Sequence, residues 1–147
     1  MAVTHTNNWK NILNILKGKI GAEFSSIARV MIGNEERDAD KQYIRIEPSG
    51  SDLLELATHM ETREFSVNIF YHYTKRRDVN KNELDSLLLF ISRFEALIHD
   101  NVNMTLSDST VAYNCRLEST LLDVGDEDEK DYVVQWDWKC LHRSNLT

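Results

Sequence analysis

A chain of 147 residues is long enough for one domain with a real core, and 41% hydrophobic against 28% charged residues argues against global disorder. The formal net charge of −7 argues against a dominant electrostatic grip on nucleic acid. No apolar run approaches the roughly 20 residues of a membrane helix, and two cysteines are too few for a disulfide framework or a four-thiolate zinc site.

The polar opening Met1–Asn8 has no signal-peptide core, so synthesis in a reducing cytoplasm is expected. From there Asn8–Lys19 reads as a first helix. Trp9, Ile12, Leu13, Leu16 and Ile20 share one face of it. Asn7 or Asn8 suits its start, and Gly18 and Gly21 bracket its expected end. Ser26–Ile32 is β-prone, Gly33–Lys41 reads as a charged exposed loop, and Gln42–Glu47 is a strand stopped by Pro48. These two strands are expected to pair as a hairpin. Ser49–Asp52 then turns the chain, and a short helix is expected over Leu53–Met60.

Thr62–Tyr73 is the central strand. Phe65, Val67, Ile69, Tyr71 and Tyr73 fall on one face, with Glu64, Ser66, Asn68 and His72 between them. After the polar corner Lys75-Arg76-Arg77-Asp78, Asn80 and Glu83 have capping-box spacing at the start of a long helix ending near Asp100. Leu84, Leu87, Leu88, Ile91, Phe94 and Ile98 form its apolar stripe, thickened by Phe90 and Leu97. Asn101–Thr110 reads as a loop. Val111–Asp123 and Asp131–Arg143 read as a hairpin, with Tyr132, Val134, Trp136, Trp138 and Cys140 on the inner face. Facing Asp123 with Tyr132 sets Leu121 against Val134, Leu117 against Trp138 and Cys115 against Cys140, the two thiols staying reduced.

The order is helix, two strands, short helix, strand, long helix, two strands. It predicts a single α+β domain, residues 8–143 its core, with a mostly antiparallel sheet of about five strands and two long helices on one face. Trp136 and Trp138 are expected under the helices with Leu88, Ile91, Leu13 and Leu16.

No catalytic or cofactor motif stands out, so no catalytic residue, metal or cofactor is expected. The histidines at 5, 59, 72, 99 and 142 have no paired spacing. The acidic run Asp123, Asp126, Glu127, Asp128, Glu129 and Asp131 lacks the order of an EF-hand loop, and reads as a solvated or docking loop. Lys75, Arg76 and Arg77 are a basic corner that could touch phosphate.

Taken together, Trp9-Lys10-Asn11-Ile12-Leu13, Ile44-Arg45-Ile46-Glu47-Pro48, Glu61 to Val67 and Gln135-Trp136-Asp137-Trp138 resemble the tail-terminator (tail-completion) proteins of long-tailed bacteriophages, which are related to minor tail and head–tail joining proteins. The resemblance spans about residues 8–143. It implies a non-enzymatic virion protein that forms a ring, commonly a hexamer, on the tail tube. The ring stops tube growth and meets the head connector, and DNA passes through its channel without sequence-specific binding. The acidic hairpin tip would then face the channel or a partner. The competing expectations are a neck protein on the portal side, a small ligand-binding α+β module, and an enzyme using Glu64, His72 and Asp137.

Overall fold

Alternation in the last segment organises the sheet. Tyr132, Val134, Trp136, Trp138 and Cys140 are all fully buried in β6 (Asp131–Asn145). Antiparallel pairing sets them against Tyr73, Tyr71, Ile69, Val67 and Phe65 of β3 (Met60–Thr74), so both strands give one face to the core. The structure is a computed structural model, and it describes residues 5–33, 42–74, 81–123 and 131–145.

Both helices lie over that face. In α2 (Lys81–Asp100) Leu87, Phe90, Ile91, Phe94 and Ile98 point inward. Phe94 stacks on Trp136 at 4.1 Å and Phe90 on Tyr71 at 4.0 Å. α1 (Asn8–Phe24) buries Ile12, Leu13, Leu16, Ile20 and Phe24. Phe24 meets Phe90 at 4.8 Å and Phe94 at 5.9 Å, so the two helices share a seam. Arg93 closes it from outside with an ion pair to Glu23 at 2.7 Å. Leu88, expected in the core, is 45% exposed; Leu87, about 100° back round the helix, takes the inward place.

The structure overturns the expected architecture. Sheet dominates, in one curled, mixed, six-stranded sheet of order β1-β2-β3-β6-β5-β4. β1 (Arg29–Ile32) and β2 (Tyr43–Leu56) are not a hairpin. They run parallel, with Arg29 beside Tyr43 and Ile32 beside Ile46, and a parallel pair cannot be joined by a tight hairpin turn. The short helix over Leu53–Met60 is absent. Those residues extend β2 and turn into β3, with Leu53 opposite Arg63 and Leu56 opposite Glu61. Pairing along a 15-residue partner strand outweighs the modest helix preference of Leu-Leu-Glu-Leu. Pro48 does not stop the strand; it sits beside a register shift on an edge, where a missing donor is tolerated. The loop expected after α2 contains a further strand, β4 (Met104–Thr105), paired with the start of β5 (Val111–Asp123).

The register between β5 and β6 agrees with expectation at Leu117 opposite Trp138 and slips elsewhere. A shift between Leu117 and Ser119 sets Leu121 against Gln135 and Asp123 against Val133. Leu121 is therefore turned out and 63% exposed, while Leu122 faces Val134. A second shift leaves Asn114 and Cys115 in a bulge opposite Cys140, with Asn114 at φ 52°. Both thiols are free and buried. A hydrogen bond to Cys115, with burial, pushes the Cys140 thiol far above the ordinary range.

Asn7 caps α1 by accepting from the Lys10 backbone N–H at 3.1 Å. The helix does not end at Gly18 or Gly21 but runs through both to Phe24. A Cβ at either glycine would meet nothing within 4 Å. Gly18→Ala and Gly21→Ala are each expected to stabilise the fold by about 0.5–1 kcal/mol, because alanine loses less backbone freedom in a helix. Urea midpoints check this; a lowered midpoint would contradict the open surroundings.

Candidate interaction surface

The open parts of the sheet lie at its ends. β1 covers the outer edge of β2 only from Tyr43 to Ile46, and along Glu47–Leu56 β3 lies on one side while no described strand lies on the other. This stretch and the start of β3 form a tip, closed by the Ala57 N–H donating to the Met60 carbonyl at 2.8 Å. The end of β6 backs it, with Met60 opposite Asn145. Trp9 packs edge-on against Phe65 at 5.5 Å at the root of the tip. Beyond that point the apolar side chains lose cover. Leu53, Leu54, Leu56 and Met60 are 47%, 55%, 63% and 36% exposed. Leu53 and Leu56 share the face of Phe65, and Leu54 sits in the register shift between Leu53 and Glu55. Arg63 braces the tip by donating to Ser51 Oγ at 3.2 Å and pairing with Glu61 at 3.4 Å. Sequence reading missed this surface because it placed the leucines on a helix, where spacing alone would bury some of them.

The sequence-predicted sites fall elsewhere. Lys75, Arg76, Arg77, Asp126, Glu127, Asp128 and Glu129 lie outside the described residues, as does Asn80 of the capping box. Asp123 ends β5, exposed, and Asp131 opens β6. Glu64, His72 and Asp137 share the outer sheet face but do not converge. Glu64 and His72 are separated by roughly 26 Å of strand, and Asp137 lies opposite Asn68 between them. Glu64 accepts from Arg116 at 2.9 Å, and His72 stacks on Tyr43 at 4.3 Å. No group of three or more potential metal ligands occurs among the described residues, and no described helix is long and apolar enough to cross a membrane.

A hydroxyl, an imidazole and a carboxylate do meet at the turn from β4 to β5. Thr110 Oγ1 donates to Asp108 Oδ1 at 2.6 Å and lies 2.8 Å from His142 Nε2. One hydroxyl has one proton, so Nε2 must carry a hydrogen and donate. This is the wrong order for nucleophilic catalysis, where the imidazole accepts from the hydroxyl and the carboxylate orients the imidazole. The set works as a clamp. It ties a turn with Ser109 at φ 71° to the buried end of β6.

The clamp has a pH signature. Burial pushes the His142 imidazole below its ordinary value of 6.5, and the Asp108 charge only partly offsets this. The unfolded chain therefore binds a proton that the folded chain resists. Stability from this group is fully present above about pH 6.5 and falls as the pH drops toward the lowered folded value. Urea midpoints are expected to decline between pH 7.5 and 5, with a shallower decline in His142→Gln; an equal decline in both would remove His142 as the cause. Asp108, held low by its Thr110 hydrogen bond, adds a separate loss below its ordinary 3.8.

No family model matches the chain, and no curated protein matches it in sequence.

Proposed function

We propose that this chain is a structural subunit that closes into a ring, in the manner of a phage tail terminator. In that reading a ring, commonly of six copies, caps the tail tube, meets the head connector on its other side and lets DNA pass through. The acidic run around Asp123 and Asp131 would then repel phosphate in the channel or order against a basic partner. The observation that supports assembly is the tip. Four large apolar side chains stand exposed beside an open strand edge, a combination that natural sheets ordinarily blunt or cover. Covering about half of their surface would contribute roughly 3–6 kcal/mol toward association.

The test is mass by light scattering over a concentration series, with electron images of the same samples, alone and with purified tail tubes. Annular particles, free or at tube ends, are the expected result. A chain that stays monomeric throughout and leaves tube ends bare would end this reading.

A further inference from the structure

The sheet has two open edges, and they lie at opposite corners. On one side β1 stops beside Ile46 and leaves the outer edge of β2 open along Glu47–Leu56. On the other, β4 pairs only with Val111 and Ala112, so no described strand lies beyond β5 from Arg116 to Asp123. Three antiparallel pairings separate β2 from β5, so the two strands run in opposite directions. A second copy set alongside in the same orientation therefore meets β2 with its β5 as an antiparallel pair.

The two edges complement each other on the core face. Leu53 and Leu56 share that face with Phe65, yet both stand exposed. β5 has the reverse arrangement. α2 lies over it, with Thr120 Oγ1 donating to Glu95 Oε1 at 3.0 Å. Leu88, two turns back on that side of α2, is 45% exposed. Leu117 and Leu122, on the core face of β5, are only partly buried. One edge is an apolar strand without a helix, and the other is a helix rim without a further strand.

The register shifts decide how the edges fit. β2 inserts Leu54 and β5 inserts Glu118. Setting Leu56 against Leu117 brings Leu53 to Thr120, Asp52 to Leu121 and Ser51 to Leu122. The two inserted residues then fall on adjacent rungs, and on both sides of them core-facing residues meet core-facing residues. Sliding the pair by two residues would set Asp52 against Asp123 and break that match. In the matched register Glu55 lies by Glu118, a carboxylate already held by Arg116 at 2.7 Å.

The stagger also suits closure. Leu117 is level with Val67 through Trp138, and Leu56 is level with Glu61. Neighbouring copies are thus displaced along the strands by the distance from Glu61 to Val67, about 20 Å. The four strands β2, β3, β6 and β5 of each copy span about 19 Å. The resulting slope is about 45°, at the upper end of the strand tilt in closed β-barrels.

We propose that the open edge of β2 pairs with the open edge of β5 in a second copy of this chain, with Leu56 opposite Leu117. One sheet then continues from copy to copy, and the neighbour's α2 covers the leucine tip. The contact joins two different surfaces, so it repeats head to tail and closes into a ring when the rotation permits. The proposal rests on the ring reading above and names the surface through which the ring forms.

The test is hydrogen–deuterium exchange on the parent chain above and below its assembly concentration. Backbone amides of residues 47–56 and of residues 116–123 should both gain protection on assembly, because each edge then finds a ladder partner. Protection at one edge alone, or at neither, would overturn this contact and leave the ring reading standing. Two exposed positions probe the register. Leu121→Asp sets a carboxylate against Asp52 and removes an apolar contact, and should raise the assembly concentration about tenfold. Adding Asp52→Lys in the same chain should return it to within about threefold of the parent. Circular dichroism confirms that each variant is folded. A Leu121→Asp chain that assembles like the parent would overturn the pairing, and so would a double variant no better than Leu121→Asp alone. A parent chain that never assembles would remove both readings.

Discussion

Replacing Trp136 with alanine is expected to remove much of the domain's stability, about 3–5 kcal/mol for a buried tryptophan. Its ring is fully buried, stacked on Phe94 at 4.1 Å with planes 19° apart, and its strand position faces Ile69. The loss combines the transfer term with a cavity under α2 that neighbours held by Phe90 on Tyr71 cannot easily fill. Against the roughly 5–15 kcal/mol of a whole domain, such a loss approaches unfolding. Urea unfolding followed by far-ultraviolet circular dichroism gives the number, and a cooperative transition within about 1 kcal/mol of the parent would show that α2 does not rest on this ring. Trp136→Phe separates shape from polarity. The indole Nε1 of Trp136 finds no acceptor among the described residues, so phenylalanine removes an unsatisfied buried donor while keeping most of the stack. It should cost far less than alanine.

The pattern that places Trp136 was legible because a strand with one buried face has a period of two and nothing else competes with it. Phe65 to Tyr73 and Tyr132 to Cys140 show that period, and their shared face follows. Three features carried no such signal. Leu53, Leu54 and Leu56 have a helical composition, and only the presence of β3 alongside decides for strand. The shifts at Asn114–Cys115 and between Leu117 and Ser119 each insert a residue without changing composition, so the inferred register holds at Leu117 and fails at Leu121. The parallel pairing of β1 with β2 carries no mark in the sequence, because periodicity reports which face a strand buries and not its direction. The candidate surface was hidden for the first of these reasons. Once the leucines belong to an edge strand instead of a helix, their exposure becomes visible.

Replacing Leu53, Leu54 and Leu56 together with serine is expected to leave the fold nearly unchanged and to abolish assembly. Each side chain is about half exposed in the single chain, so little core packing is lost. Surface changes of this kind usually fall within about 0.5 kcal/mol each, and serine is tolerated on an edge strand. Assembly is another matter. If covering these leucines supplies most of the roughly 3–6 kcal/mol assigned to the tip, removing them weakens each contact by about two to four powers of ten. A ring makes one such contact per subunit, so its population collapses more steeply still. Sedimentation velocity on parent and variant, paired with urea midpoints, reads both quantities from the same preparations. A variant with an unchanged midpoint and an unchanged assembly mass would show that the tip is only a solvated edge. A variant that unfolds would be replaced by Leu54→Ser alone, because Leu54 lies in a register shift outside the paired ladder and its loss leaves every strand pairing in place.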